Sequence, residues 1–177
     1  IWLALALAEL IDSIETEERD WNDLEKLDTT EHPLWWQLTA EFLKIASAFW
    51  PARLEELRRS SPARHQSAIL RGEARRIATA KHQGPVIVAG STGSVPAAAD
   101  LIAAIASLPN GVVVLPGLDQ TMSDEDWQLL DDSRILDKRS EPAARSHPQF
   151  GLSKLLKRLQ IERGEVEILA LPADDLT

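Results

Sequence analysis

Pro85-Val-Ile-Val-Ala-Gly90-Ser-Thr-Gly-Ser94-Val-Pro96 is the stretch that decides the fold. Val86–Ala89 is a short, wholly apolar run between turn residues, the pattern of a buried strand. Gly90–Ser94 is a loop, and Ser94 with Pro96 sets up an Ala-rich helix from about Ala97 to Leu108. Pro109-Asn110-Gly111 turns the chain into a second apolar run, Val112–Leu115. Strand, helix and strand within about 30 residues make a βαβ unit, a parallel pair joined by a right-handed crossover.

Downstream, Pro116-Gly117-Leu118-Asp119 leaves the second strand, and Ser123-Asp124-Glu125-Asp126 opens a short helix around Trp127–Leu130. Ser133–Pro148 reads as irregular, Phe150–Leu159 as helix and Val166–Leu171 as a third strand. Upstream, the first 82 residues read as helices alone. Leu3, Leu7, Leu10, Ile11 and Ile14 share one helical face, and a second helix starts near Leu34, with Trp35, Leu38, Phe42, Ile45 and Phe49 at helical spacing. Pro51 is expected to kink or restart it, because proline lacks the N–H that the interior ladder needs. Ser60-Ser61-Pro62 supplies an N-cap and a first-turn proline for a helix running to about Lys81. The expected class is α/β, a parallel βαβ core over 83–177 preceded by an all-helical subdomain over 1–82.

Composition narrows the function. The 177 residues hold 44% hydrophobic and 27% charged residues, a globular balance, and no cysteine. That excludes a disulfide framework, a thiolate metal site and a Cys nucleophile. The longest apolar stretch, Ile1–Ala8, is far short of the roughly 20 residues that a membrane span needs. A start at Ile1 inside an apolar helical pattern suggests a piece of something longer. The net charge of −9 is uneven: residues 1–50 carry 11 acids and 3 bases, 51–82 carry 3 and 8, and 83–177 carry 14 and 8. Only the middle segment has the basic balance of a duplex-DNA binder.

Gly90-Ser91-Thr92-Gly93-Ser94 is well placed for an anion. Backbone N–H groups at a helix start are unpaired, the dipole end is positive, and glycines let a phosphate approach. The loop matches neither GxxxxGK[ST] nor GxGxxG. A capped turn without ligand accounts for the same residues. Asp119 lies where α/β proteins place site residues, but Pro116-Gly117-Leu118 separates it from the apolar run, so turn chemistry fits it better than a metal-binding acid. His32, His65, His82 and His147 have no metal-ligand spacing, and no catalytic triad can be assembled. Arg71, Arg75 and Arg76, with Arg64 and Lys81, form a basic cluster on the last helix of the helical half. It suits either phosphate or the acidic first helices. Five of the six tryptophans, all but Trp127, fall in the helical half, where packing explains them better than base stacking.

Pro85–Pro96, then Leu101-Ile-Ala-Ala-Ile105, then Leu108-Pro-Asn-Gly-Val-Val-Val-Leu-Pro-Gly-Leu-Asp119, and finally His147-Pro-Gln-Phe-Gly-Leu152 before a basic amphipathic helix resemble the AddB-type subunits of bacterial AddAB helicase–nucleases. The similarity runs over most of 83–172. It implies an internal section of the helicase-like N-terminal half of a subunit that works with an AddA-like helicase–nuclease in double-strand break repair and recombination. The helical half would then be an inserted subdomain, and 84–171 part of a RecA-type core. An ATP-binding loop would lie upstream, and nuclease carboxylates and cluster cysteines downstream. The implied chain is cytoplasmic, binds no cofactor in this section, holds no catalytic or metal-ligating residue, and meets DNA through the parent complex. The loop after the first strand lacks the acidic and glutamine residues of a helicase motor. That departure fits a module that binds or scans DNA without driving it.

Candidate DNA or phosphate contacts are Ser91, Thr92, Gly93 and Ser94, with Arg71, Arg75 and Arg76 as secondary support. Two other readings remain open: a small phosphate-ligand-binding α/β enzyme using the same loop, and an interaction scaffold docking through its acidic helices and tryptophans. The first would need a complete sheet, and only about three strands are visible where an ordinary sheet has about five or six.

Overall fold

The second strand begins one residue earlier than its apolar run suggests, because Gly111 is what lets the chain turn back so tightly. In the computed structural model, which describes residues 2–19, 43, 47–81, 83–130 and 141–169, β1 is Val86–Ala89 and β2 is Gly111–Val114. They pair in parallel with Val86 opposite Gly111 and Ala89 opposite Val114. The connecting helix, Pro96–Ala106, is one of seven described helices. They are α1 (Trp2–Thr16), α2 (47–56), α3 (Pro62–Thr79), α4 (Pro96–Ala106), α5 (Asp124–Gln128), α6 (Glu141–Ser146) and α7 (Phe150–Leu159). A Cβ on Gly111 would stand 1.8 Å from the Ile105 carbonyl oxygen at the end of α4. Only glycine can occupy that corner.

The chain divides into two compact units, a helical one (Ile1–Glu73 with Val95–Ala97) and an α/β one (Ala74–Ser94 with Ala98–Thr177). In the helical unit the expected cap is present. The Ser61 hydroxyl accepts the Arg64 N–H at 3.2 Å, and Pro62 opens α3 where its missing N–H has no partner to lose. Ile14 is buried, and so is its neighbour Glu15. The Arg64 Nε sits 3.0 Å from Glu15 Oε1 without an aligned hydrogen bond, which leaves a charge contact only. Helix α2 runs through Pro51 without interruption, so the chain does not restart the helix there. It closes on Arg58 in the left-handed region, with the Arg59 N–H donating to the Leu54 carbonyl. The same closure ends α1 at Glu18 and α7 at Gln160, and supplies partners to carbonyls that a helix end leaves bare. The expected second helix over residues 34–42 lies outside the described residues, as do His32, Trp21, Trp35, Trp36 and His82.

In the α/β unit, Ala99 and Ile102 of α4 and Leu155 of α7 make a fully buried cluster, packed on Val88, Val113, Leu115 and Leu159. Helix α7 buries Leu152, Leu155 and Leu156 at three- and four-residue steps and exposes Lys154, Lys157 and Arg158. Burying each such leucine stabilises the fold by about 1.5–3 kcal/mol.

Three expectations are corrected here. The strands are not buried on both faces: Val88 and Val113 face the core, while Ile87 is 60% and Val112 45% exposed on the other side. The all-apolar runs looked like strands of a covered parallel sheet, but α4 and α7 both pack on one face of the pair. Val166–Leu171 forms no strand over its described residues 166–169. A 3-10 turn at Arg163–Glu165 leads into it, the Val166 carbonyl accepts the Gln120 side chain at 2.5 Å, and Ile168 and Leu169 stay exposed. Strand propensity alone makes no ladder, because pairing depends on tertiary context. Ser133–Pro148 is not wholly irregular, since α6 forms at Glu141–Ser146, with Pro142 in its first turn where proline is tolerated.

Candidate functional site

Gly90 leaves β1 with its N–H donated to the Val114 carbonyl at 3.1 Å, so the carboxyl ends of the two strands stay side by side. Ligands of open α/β sheets collect at such ends. Three segments far apart in sequence converge there: the Gly90–Ser94 loop, the Leu115–Asp119 exit from β2, and the His147–Leu152 entry to α7.

Gly93 has φ +62°, and a Cβ on it would meet Leu155 Cδ1 at 2.8 Å and Ile102 Cδ1 at 3.4 Å. Both the backbone conformation and the core require glycine there. Thr92 lies against Gly151 at the start of α7, 3.7 Å from where a Cβ would stand. The Gly93 N–H is donated to the Ser91 hydroxyl at 3.2 Å and is not free for an anion. The N–H groups of Ser91, Thr92 and Ser94 have no protein partner among the described residues.

Gln149 ties the second segment to the third. Its Oε1 accepts the Asp119 N–H at 3.1 Å and its Nε2 donates to the Gly117 carbonyl at 2.9 Å. Its own N–H is donated to His147 Nδ1 at 3.2 Å. Asp119 is turn chemistry, as its position suggested. Its Oδ1 accepts the Thr121 hydroxyl at 2.7 Å, the Thr121 N–H at 2.8 Å and the Met122 N–H at 3.1 Å. The Thr121 hydroxyl bond, reinforced by both N–H groups and the Arg163 charge, holds the carboxyl below its ordinary value despite some desolvation.

Comparison with family models, with curated proteins and with solved structures finds no match to this chain.

The structure therefore gathers Ser91, Thr92, Gly93 and Ser94 into one loop at the strand ends. Of the basic cluster, Arg71 pairs with Glu18, in the turn that closes α1, at 2.5 Å, and Arg64 faces Glu15. These two arginines take the acidic-helix alternative. Arg75 and Arg76 are exposed on the part of α3 that belongs to the α/β unit. Sequence reading missed Gln149 as a clamp, and its only signal was its place inside the His147–Leu152 string. It also missed Arg163, which lies 5.0 Å from the centroid of the Trp127 ring and 2.6 Å from Asp124. Among the described residues, no group of three or more His, Asp or Glu is arranged to hold a metal ion. No helix among them is long and apolar enough to cross a membrane.

Proposed function

We infer that this chain is a helicase-like module, without motor activity, of an AddB-type subunit acting in DNA double-strand break repair and recombination. Its βαβ pair is then part of a RecA-type core. Its partners are an AddA-like helicase–nuclease subunit and, through the parent complex, DNA in the cytoplasm. The observation that carries this reading is that Gly90–Ser94, Leu115–Asp119 and His147–Leu152, which lie within three of the four strings of the resemblance, meet at one end of the strands. Strings that depend on each other through the Thr92–Gly151 contact and the Gln149 clamp are expected to travel together in a family. Free N–H groups at Ser91, Thr92 and Ser94, close to the start of α4, suit a backbone phosphate. A small-molecule enzyme draws no support from the sheet of the described residues, which has two strands and one open face.

The test is a titration of labelled single-stranded DNA with the chain, read by anisotropy at two salt concentrations. Binding that weakens with salt, and weakens further in the Ser91→Glu/Thr92→Glu variant, is the expected result. No binding at low salt removes the DNA contact from this chain. Failure to bind an AddA-like subunit as well removes the reading.

A further inference from the structure

Asn110 and Gly111 follow one another at the entry to β2, at the opposite end of the strands from the Gly90–Ser94 loop. Asparagine is thermolabile, and an Asn–Gly pair concentrates that chemistry. Glycine has no side chain to shield its backbone nitrogen. Once that nitrogen loses its proton it attacks the asparagine Cγ and closes a five-membered succinimide. The Cγ–Nδ2 bond breaks, and ammonia leaves with a proton equivalent to the one lost. Water then opens the ring at either carbonyl and gives aspartate or isoaspartate. The chain's other asparagine, Asn22, precedes an aspartate, so residue 110 is its one Asn–Gly site.

The closed fold engages both reactants. The Gly111 N–H is donated to the Leu108 carbonyl at 3.1 Å, so the nitrogen that must attack keeps its proton. The Asn110 Nδ2 is donated to the Gly84 carbonyl in the turn that precedes β1, which holds the side-chain amide toward that turn. The Asn110 carbonyl accepts the Val86 N–H at 3.0 Å, at the point where the β1–β2 register begins with Val86 opposite Gly111. The corner is also crowded. The Ile105 carbonyl oxygen lies 1.8 Å from where a Gly111 Cβ would stand, which leaves the peptide no room to rotate while α4 and β2 stay in place. Ring closure therefore needs β2 to come away from its turn.

We propose that Asn110 is a site of spontaneous deamidation that the closed fold holds off and that opening of β2 switches on, a one-way latch on the α/β unit. Neither product fits the closed corner. Aspartate has no donor for the Gly84 carbonyl and sets a carboxylate against it, acceptor facing acceptor. Isoaspartate carries the main chain through the former side chain and adds a methylene just ahead of Gly111. The tight corner has no slack for it, and the pairing of Val86 with Gly111 is lost. A chain that opens and reacts cannot close again in the same register. The latch does not depend on the DNA reading, because it shares no residue with the Gly90–Ser94 loop.

The experiment incubates the full chain at one pH and temperature, in buffer and in urea, and reads aspartate and isoaspartate at residue 110 by peptide mapping. The reaction should run at least about tenfold faster in urea, because only the open fraction reacts in buffer. Leu155→Val, which loosens the core beneath the strands, should raise the rate in buffer several-fold and leave the rate in urea unchanged. Asn110→Asp makes one product directly and should lower hydrogen-exchange protection of the β1 and β2 amides about five- to tenfold, the scale of one lost hydrogen bond with its acceptor left facing another. Asn110→Ala loses the donor without adding a charge, should lower protection about threefold, and serves if Asn110→Asp fails to fold. Equal rates in buffer and urea overturn the proposal. So do no reaction at residue 110 in urea, a Leu155→Val rate in buffer no faster than the native one, and full amide protection in every Asn110 variant that folds.

Discussion

Replacing Gly93 with alanine separates a glycine kept for packing from one kept for a ligand. The residue sits at φ +62°, where an L side chain costs about 1–2 kcal/mol. The new Cβ would also stand 2.8 Å from Leu155 Cδ1 and 3.3 Å from Leu155 Cδ2. Leu155 is among the most buried side chains of the described residues and has little room to move, so overpacking adds about 1–3 kcal/mol. Gly90→Ala is the matched control. Its φ is +76° and its Cβ would meet nothing within 4 Å, so it should cost only the backbone part, about 1–2 kcal/mol. Hydrogen exchange of the β1 and β2 amides reads the opening of the α/β unit itself and avoids mixing it with the helical unit. The contact can be isolated by a cycle with Leu155→Val, which removes both δ-methyls. In that background Gly93→Ala should cost no more than Gly90→Ala. Equal costs for the two glycines in the native background, within about 0.5 kcal/mol, would refute the packing argument. So would a Gly93→Ala cost that Leu155→Val leaves unchanged.

Gln149→Ala removes both bonds that clamp the β2 exit and should cost about 1–3 kcal/mol, measured by the same amide exchange. Asp119 sets an acid dependence. Its carboxyl is held below the ordinary value near 3.8, so its stabilisation is complete above that pH and is lost as pH falls through the lowered folded-state value. Acid unfolding of Asp119→Asn should therefore show a flatter profile over that window and a lower stability at neutral pH. Gly111→Ala places a Cβ 1.8 Å from a backbone oxygen that cannot yield, and should abolish protection of the β2 amides. Gly72→Ala, inside α3 with nothing within 4 Å of the added methyl, should instead stabilise the helix by about 0.5–1 kcal/mol, read as a higher urea midpoint.

Locally encoded features were legible in the sequence. The strand–loop–helix–strand order, the Ser61 cap with Pro62 behind it, the helix over Phe150–Leu159 and the Asp119 turn all follow from neighbours a few residues apart. Period, cap and turn chemistry act at that range, so no tertiary knowledge is needed to read them. The Gly90–Ser94 loop was legible as a place for an anion, but the reason for its second glycine was not. That reason is Leu155, 62 residues away in sequence.

Only the tertiary structure decided what depends on a distant partner. Val166–Leu171 has the composition of a strand, yet residues 166–169 pair with no strand, and a side-chain bond from Gln120 takes the Val166 carbonyl. Val86–Ala89 has the composition of a strand covered on both faces, yet Ile87 stands in the open because α4 and α7 both pack on the other side. Gln149 and Arg163 are polar residues at unremarkable positions until folding brings Gly117, Asp119, Asp124 and Trp127 against them. Propensity and period are properties of the chain within a turn or two. Burial, ladder pairing and clamping bonds depend on which segments meet, and these meetings span 30 to 62 residues of sequence.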